Sequence, residues 1–335
     1  MKPKVYVTRE IPSPGIEILQ KYCEVEVHKG KLPPSREELL RKVSDKDGLL
    51  CLLTDRIDGE VMDAGKNLVV ISTYSVGYDH IDIEEASKRG IYVAHTPGVL
   101  TEAVADFTWA LILAITRRVV EADKFIRSGK WNMPWQPELL VGMEVYGKTL
   151  GIVGFGRIGK AVAKRAKGFD MKILVYDIVV DEETAKSLGA EVVDLDTLLR
   201  ESDIVSLHVP LTEGTRHMIG ENELKKMKRT AFLINTARGP VVDEKALIRA
   251  LREGWIQGAG IDVFEKEPTD IDNELLKLEN VVVTPHIASA SLEARRKMSE
   301  LSATAIVKIL KGEKPKNLVN PEVEKIRPLT EVKRI

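Results

Sequence analysis

The chain has 335 residues, of which 44% are hydrophobic and 30% are charged, and its formal net charge at pH 7 is −1. This composition excludes an intrinsically disordered polymer, and the length suggests two domains of about 150 residues each. The balance of 50 Lys and Arg against 51 Asp and Glu argues against a general nucleic-acid binder, which carries a basic excess. We therefore expect a globular protein without a nucleic-acid partner.

The cysteine and apolar content suggests a compartment. Cys23 and Cys51 are the two cysteines and lie in or beside apolar runs, which favours buried thiols over a disulfide framework. No apolar leader follows Met1, and the apolar run at residues 109–115 is far shorter than the roughly 20 residues of a membrane span. We expect a cytoplasmic protein without a membrane partner. Abundant Lys, Glu and Arg with few Gln indicate a thermophilic source.

Short β-rich runs alternate with amphipathic stretches along the first hundred residues. Strands are predicted at residues 4–8, 24–28, 48–53, 68–73 and 91–94. Helices are predicted at residues 15–21, 35–43 and 82–89. This alternation is typical of a parallel sheet covered by helices on both faces.

The pattern changes at Thr101, where one long helix is predicted from Thr101 to Ile126, followed by a loop rich in Trp, Pro and Gly. A second series then predicts strands at residues 150–153, 172–176, 204–207, 231–235, 258–263 and 281–284. Its helices are predicted at residues 158–168, 182–188, 195–201, 222–226 and 243–253. A last long helix at residues 292–311 completes two α/β domains joined by two long helices.

The most informative segment is a glycine-rich turn between a short apolar strand and an amphipathic helix. It has the spacing Gly-x-Gly-x-x-Gly at Gly154, Gly156 and Gly159. The first glycine allows a tight turn, the second lets the backbone approach a pyrophosphate, and the third lets the helix pack closely on the sheet. The free N–H groups at the helix start favour phosphate charge. This context predicts a dinucleotide site.

A carboxylate follows the next predicted strand. Asp177 comes directly after residues 172–176, where it can accept hydrogen bonds from an adenosine ribose. The following residues, Ile178, Val179 and Val180, include no arginine for a 2′-phosphate. We expect NAD rather than NADP. The alternative is a plain turn with a capping aspartate.

Three later strands end in polar residues, at the edge where open α/β sheets bind ligands. These segments are residues 232–239, 260–268 and 281–286. With them, the sequence resembles the D-isomer-specific 2-hydroxyacid dehydrogenase family, and in pattern most the archaeal glyoxylate/hydroxypyruvate reductases. The resemblance covers nearly the whole chain and rests on the glycine turn, the segment 202–215, the Asn-Thr-Ala-Arg-Gly run at 235–239, and the segment 262–286.

The resemblance implies a Rossmann-type doubly wound parallel sheet domain and a smaller flavodoxin-like α/β substrate domain. The motifs place the NAD-binding domain at residues 100–287 and a discontinuous substrate-binding domain at residues 1–99 and 288–335, with the substrate in a cleft between them. The implied activity is NAD-dependent reduction of a small 2-keto acid, with glyoxylate or hydroxypyruvate favoured, to the D-2-hydroxy acid.

The family's catalytic residues fall on Arg238, Glu267 and His286. A keto-acid reductase needs a cation for the substrate carboxylate and carbonyl dipole, which Arg238 offers with fork geometry. It also needs a proton donor, and His286 is suitable because imidazole titrates near neutrality. Glu267, if hydrogen-bonded to His286, would orient the ring and favour its charged form. Reduction is then expected to fail as pH rises and the imidazole loses its proton.

The resemblance also implies a wider binding set. Asp262 would contact the nicotinamide carboxamide. Val76 and Gly77 would offer N–H groups to the substrate carboxylate, with Arg238 and His286 as further substrate contacts. The implied cofactor contacts are Gly154, Phe155, Gly156, Arg157, Ile158, Gly159, Asp177, Val209, Pro210, Thr215, Thr236, Ala237, Arg238, Asp262, His286 and Ala288.

Other residues give weaker predictions. His80 is a candidate for substrate contact because it is close in sequence to Val76 and Gly77. The histidines expected to be structural or exposed are His28, His95, His208 and His217. No cluster has metal-ligand spacing, so no metal is expected. Trp131 and Trp135 are either core aromatics or, as the resemblance implies, aromatics that reach a partner subunit in a homodimer.

Several alternatives stay open. A short-form D-3-phosphoglycerate dehydrogenase would share these motifs, although no extra basic residues for a phosphate lie near Val76 in the sequence. Phosphite or formate oxidation shares the fold. A non-catalytic NAD-sensing corepressor would need added tails or a partner groove, which the sequence does not show. The sequence does not rank the keto acids, because the pocket depends on the placement of Leu53, Trp135 and Ser289.

Overall fold

The computed structural model describes residues 2–335, which form two compact units. The first unit comprises the described residues up to Leu100 together with Ala290–Ile335, and the second comprises Thr101–Ser289. The sequence placed these divisions after residues 99 and 287. Each unit is built on one parallel sheet.

The first unit begins with five strands that alternate with four helices. The elements are β1 (Lys4–Val7), α1 (Gly15–Tyr22), β2 (Glu24–Val27), α2 (Arg36–Val43), β3 (Gly48–Cys51), α3 (Gly59–Ala64), β4 (Val70–Thr73), α4 (Ile83–Lys88) and β5 (Tyr92–Ala94).

The second unit opens with two helices and continues with seven strands. The elements are α5 (Thr101–Thr116), α6 (Val119–Arg127), β6 (Thr149–Val153), α7 (Arg157–Ala166), β7 (Lys172–Tyr176), α8 (Glu182–Ser187), β8 (Ala190–Val192), α9 (Leu195–Glu201), β9 (Ile204–Leu207), α10 (Glu221–Lys226), β10 (Phe232–Asn235), α11 (Glu244–Arg252), β11 (Gly258–Ile261) and β12 (Val281–Val283). The chain then returns to the first unit as α12 (Leu292–Leu310) and α13 (Leu329–Val332).

The first sheet has the order β2-β1-β3-β4-β5, and all its pairings are parallel. One face carries an apolar cluster that includes Tyr6, Leu49 and Ile71, all at most 1% exposed. Helix α12 packs against β3, β4 and β5 and against α1. This is the flavodoxin-like order, in which the strand order reverses between β1 and β3.

The second sheet has the order β12-β11-β10-β9-β6-β7-β8, also with parallel pairings throughout. Its order reverses between β6 and β9, as in the Rossmann fold. Two separate apolar clusters accompany this sheet, one containing Ile112 and Val162 and the other containing Leu207 and Leu247. The predicted doubly wound fold is therefore confirmed.

The predicted single helix from Thr101 to Ile126 is wrong, because the chain breaks between α5 and α6. Arg118 adopts φ +54°, in the left-handed region. The carbonyl of Thr116, near the break, accepts a hydrogen bond from the Met143 N–H at 2.8 Å. The Arg118 guanidinium pairs with Glu121 at 2.7 Å. A tertiary contact thus ends α5 where no glycine or proline marks the sequence.

Three short elements, α3, β8 and α13, were not predicted. Helix α3 begins after Asp58, whose side chain accepts from the Val61 N–H at 3.3 Å. Strand β8 has three residues, and two of them are exposed. Cys23 and Cys51 are both buried free thiols, as predicted. Within residues 2–335, no helix combines the length and apolar character needed to cross a bilayer.

Candidate active site

The glycine turn joins β6 to α7 and needs glycine at two of its three positions for packing. Gly154 has φ +96°, and a Cβ there would lie 2.6 Å from the backbone carbon of His208. A Cβ at Gly159 would lie 2.2 Å from the carbonyl oxygen of Gly154. A Cβ at Gly156 would meet no atom within 4 Å. Gly156 is therefore not required by the folded chain itself and leaves open space at the start of α7.

Asp177 stands at the end of β7 and is tied to this turn. Its Oδ2 accepts the Phe155 N–H at 2.7 Å, and its Oδ1 accepts the Ile178 N–H at 2.7 Å. Each oxygen retains a lone pair for a further donor. Ile178 and Val179 beside it are 91% and 81% exposed. The carboxylate thus has a fixed position next to the glycine turn.

His286 and Glu267 form a hydrogen-bonded pair. Nδ1 of His286 lies 2.7 Å from Oε2 of Glu267, and both side chains are about one quarter exposed, at 24% and 28%. Oε1 of Glu267 accepts the Phe264 N–H at 3.0 Å. Burial acts to raise the pKa of the Glu267 carboxyl. The hydrogen bond from His286, with the charges of His286 and Arg238 and the Phe264 N–H, outweighs burial and holds that pKa below its ordinary value.

Asp262 holds the loop that carries His286. It is fully buried at the end of β11 and accepts hydrogen bonds from the Thr284 hydroxyl at 2.6 Å and from the N–H groups of Ile287 and Ala288 at 2.9 and 2.8 Å. Burial raises the pKa of the Asp262 carboxyl, although these bonds oppose the rise. His286 itself adopts φ +54°, a conformation uncommon for non-glycine residues. The bonds to Asp262 flank His286 and fix this backbone.

Arg238 follows β10 on a turn closed by Asn235. The Asn235 amide donates to the Arg238 carbonyl at 2.9 Å and accepts from the Ala237 N–H at 3.0 Å. Nη1 of Arg238 donates to the Ala237 carbonyl at 2.8 Å. The hydroxyl of Thr236 lies 3.0 Å from that of Thr108 on α5. The turn is thus fixed by side chains on two elements.

The predicted anion turn lies after β4 in the first unit. The Val76 carbonyl is 2.8 Å from Nδ1 of His95, and the Gly77 carbonyl accepts from the Ser75 hydroxyl at 2.6 Å. His80 contacts the Thr73 hydroxyl through Nε2 at 3.0 Å. Side chains of the same unit therefore hold both carbonyls of this turn.

His208, Val209, Pro210 and Thr215 form the segment after β9. His208 is hydrogen-bonded to the Ser206 hydroxyl at 2.9 Å, and its burial lowers the pKa of the imidazole to about 3. The Thr215 hydroxyl donates to the Pro210 carbonyl at 2.6 Å. His208 is therefore a neutral structural group at neutral pH.

The remaining sequence candidates lie at the surface or in ion pairs. His28 lies 3.2 Å from Glu38, and His217 lies 2.7 Å from Glu265. Trp131 and Trp135 are 57% and 81% exposed, so the core interpretation of these aromatics is wrong. Residues 2–335 contain no group of three or more His, Cys, Asp or Glu side chains arranged to hold a metal ion.

Sequence reasoning missed several residues that position the site. Asn235, Thr284, His95 and Ser75 each hold a predicted site residue or its turn by a hydrogen bond. The sequence pattern could have identified Asn235 and Thr284, because each is the polar residue at the end of an apolar strand. His95 and Ser75 had no such signal, since their partners depend on the tertiary fold.

A doubly wound sheet with this glycine turn and a carboxylate after its second strand defines a dinucleotide-binding protein. Residues 109–288 match the model of the D-isomer specific 2-hydroxyacid dehydrogenase, NAD binding domain. A protein of Thermofilum pendens named glyoxylate reductase is 64% identical over 337 residues, which cover 100% of this chain and 99% of that protein. The chain belongs to the D-isomer specific 2-hydroxyacid dehydrogenase family.

Solved structures agree with this assignment. A protein from Thermus thermophilus superposes with a TM-score of 0.89 at 47% identity, covering 94% of this chain and 99% of that one. D-lactate dehydrogenase from Aquifex aeolicus, solved with NAD and lactic acid, gives a TM-score of 0.83 at 32% identity over 94% and 98% of the two chains. The family's NAD-binding domain thus corresponds to the second unit, which holds the glycine turn.

Proposed function

We propose that the protein reduces a small 2-keto acid, glyoxylate or hydroxypyruvate, to the D-2-hydroxy acid with NADH. The observation that carries this proposal is the 2.7 Å pair between Nδ1 of His286 and Oε2 of Glu267, in the NAD-binding domain of a 2-hydroxyacid dehydrogenase. The name of the 64% identical relative, glyoxylate reductase, supports the choice of substrate. The first unit would then bind the substrate through Val76 and Gly77.

The residues around the glycine turn fit NAD. The open space at Gly156 and the free N–H groups at the start of α7 suit a pyrophosphate. Asp177 retains lone pairs for the ribose hydroxyls. Its negative charge would repel a 2′-phosphate, so we propose NAD in preference to NADP.

The hydrogen bond to Glu267 assigns different roles to the two nitrogens of His286. When bound, the reduced nicotinamide supplies the hydride that reaches the carbonyl carbon. Since Nδ1 of His286 is engaged by Glu267, Nε2 is the atom that delivers the proton to the carbonyl oxygen. An ionised Glu267 stabilises the imidazolium before transfer. In the reverse reaction, neutral His286 accepts the hydroxyl proton.

Arg238 and Asp262 complete the proposed site. The Arg238 guanidinium binds the substrate carboxylate and polarises the carbonyl. Asp262 accepts two of its hydrogen bonds on Oδ1 and one on Oδ2, which leaves Oδ2 a lone pair for the nicotinamide carboxamide.

We also propose a homodimer. Exposed apolar side chains are concentrated on α6 and on the segment between α6 and β6. They are Val119, Ile126, Trp131, Met133, Trp135, Leu139, Val141 and Tyr146. Such a concentration is typical of an interaction surface. The mass in solution, measured by light scattering for the wild type and Trp135→Ala, tests the proposed dimer.

A cytoplasmic location and a thermophilic source stay predictions. A Tm above the usual mesophile range of about 45–65 °C would support the thermophilic source.

The test of the proposed activity is NADH consumption with glyoxylate, hydroxypyruvate, pyruvate and phosphohydroxypyruvate. Turnover highest with glyoxylate or hydroxypyruvate is the expected result. Highest turnover with phosphohydroxypyruvate would indicate the phosphoglycerate dehydrogenase alternative. NADH binding without turnover of any acid would favour a binding protein.

A further inference from the structure

Arg9 lies where the strand order of the first sheet reverses. It comes two residues after β1, and its Nη2 donates to the Thr54 hydroxyl at 3.0 Å in the turn after β3. Strands β1 and β3 are neighbours at the reversal of the order β2-β1-β3-β4-β5. In open α/β sheets, ligands bind outside the carboxyl ends of the strands at such a reversal.

The turn that holds Arg9 is itself fixed. Asp55 is 4% exposed, and its carboxylate accepts the Thr8 hydroxyl at 2.5 Å and the Leu52 N–H at 2.8 Å. The Asp55 N–H donates to the Leu52 carbonyl at 3.0 Å. Thr54 is therefore a rigid partner that keeps the Arg9 guanidinium in one place before any ligand binds.

One nitrogen of this guanidinium has no partner. Nη1 of Arg9 is buried and makes no hydrogen bond within the described residues. A buried donor without an acceptor is uncommon and destabilising, more so when it carries charge. An oxygen atom of a ligand would satisfy Nη1.

The spacing of the strands limits the size of that ligand. Neighbouring strands are about 4.8 Å apart, so the ends of β1 and β4 are separated by about 10 Å. The Arg9 guanidinium contacts the turn after β3. The remaining distance from that turn to the Val76–Gly77 turn after β4 is about one strand spacing, because β3 and β4 are neighbours. A three-carbon acid with its carboxylate on Val76 and Gly77 spans such a gap.

We propose that Arg9 is a specificity-determining residue that donates to the oxygen on the third carbon of the substrate. This inference rests on the proposed reduction of 2-keto acids and deepens it, because it selects hydroxypyruvate among them. Arg9 presents one buried nitrogen without a partner, which matches the oxygen of one hydroxyl group, whereas a phosphate would call for several cationic side chains.

The test is the ratio of kcat/KM for hydroxypyruvate to kcat/KM for pyruvate, which differ by that hydroxyl. The wild type is expected to prefer hydroxypyruvate, and Arg9→Gln is expected to lower the ratio about tenfold or more. The value of kcat/KM for glyoxylate, which has no third carbon, is expected to change by about twofold or less. Arg56→Gln is the matched control, because Arg56 lies in the same unit, is 85% exposed and pairs with Asp58.

Several outcomes would overturn the inference. One is an unchanged ratio in Arg9→Gln that keeps the wild-type Tm. Others are a wild type that uses hydroxypyruvate and pyruvate equally well, or one that prefers phosphohydroxypyruvate. If Arg9→Gln does not fold, Arg9→Lys retains the charge and is expected to lower the ratio. An unchanged ratio in Arg9→Lys would equally contradict the role of Arg9.

A wild type that is inactive on every keto acid would refute the proposed function, whereas an active enzyme with an unchanged ratio would refute only the role of Arg9.

Discussion

Oε2 of Glu267 lies 2.7 Å from Nδ1 of His286, while Oε1 of the same carboxylate accepts the Phe264 N–H at 3.0 Å. One oxygen thus contacts the ring and the other anchors the carboxylate to the backbone. The orientation of the imidazole is therefore set before substrate binds. The two residues have different proposed roles, proton carrier and positioning group, which mutations can separate.

Replacing His286 by alanine is expected to remove the proton donor. We expect His286→Ala to lower kcat for keto-acid reduction by about 10²–10⁴-fold, with the Kd for NADH, from fluorescence titration, little changed. His217→Ala is the matched control, because His217 also pairs with a glutamate, Glu265, at 2.7 Å but is 45% exposed. Equal losses in the two variants would contradict the assignment.

Glu267→Gln is expected to change the pH profile of reduction. The pKa of Glu267 lies below its ordinary value, so the carboxylate is ionised at neutral pH and stabilises the protonated His286. The neutral amide of glutamine lacks this charge, so it stabilises the proton-donating form of the site less. In kcat/KM profiles, the loss of reduction at high pH should begin at lower pH in the variant. Coincident profiles would show that Glu267 exerts no electrostatic effect on His286.

Asp177→Asn separates two contributions of the residue after β7. The amide oxygen of asparagine can still accept the Phe155 N–H, which Asp177 accepts at 2.7 Å, but the negative charge is lost. We expect the kcat/KM ratio of NADH to NADPH to fall about tenfold or more. Asp177→Ala, which also loses the acceptor, should weaken both coenzymes. A wild type that uses NADPH better than NADH would overturn the NAD preference.

Two glycines of the turn are expected to respond differently to alanine. Gly156→Ala should fold with an unchanged Tm, because the new Cβ meets no atom within 4 Å, and should weaken NADH binding because the methyl occupies the space for the pyrophosphate. Gly159→Ala should lower the Tm, because its Cβ would lie 2.2 Å from the Gly154 carbonyl oxygen. Thermal unfolding and NADH titration of both variants check the contrast. Normal NADH affinity in Gly156→Ala would place the pyrophosphate elsewhere.

His208 is expected to make the protein less stable in acid. In the folded state, burial lowers the pKa of His208 to about 3, whereas an unfolded chain takes up this proton below about pH 6.5. Protons therefore favour the unfolded state, and stability present above about pH 6.5 is lost at up to about 1.4 kcal/mol per unit as pH falls toward 3. His208→Asn should reduce the difference in unfolding free energy between pH 7 and pH 5. His217→Asn should retain it.

Local sequence patterns were sufficient for the glycine turn and for every strand of the two sheets except the short, mostly exposed β8. The buried strands are continuous apolar runs, and the turn has a fixed local spacing of glycines. Gly159 is required by a local contact with the Gly154 carbonyl, whereas Gly154 is also required by its close approach to the His208 backbone. The break at Arg118 was not predictable, because it depends on the Met143 N–H reaching the Thr116 carbonyl from a distant loop. Tertiary contacts of this kind override local periodicity.

The candidate site was predictable in part, where its residues belong to local motifs at strand ends. His286, Glu267 and Asp262 follow or lie near strand ends, so the motifs identified them. The resemblance implied that Asp262 contacts the cofactor, but its three hydrogen bonds to the His286 loop form only when β11 and β12 are paired. No sequence pattern indicated a role for Arg9, because no single motif predicts the strand order that places β1 next to β3.

The second unit is inserted between Leu100 and Ala290 of the first, which has a consequence for synthesis on the ribosome. Residues 101–289 are contiguous, so the NAD-binding domain can fold as soon as it has emerged. The first sheet is made earlier, but α12, which packs against β3, β4 and β5, is translated only after the inserted domain. Until then, the apolar surface that α12 covers is exposed, so the first part of the chain to be made is not the first to complete its core.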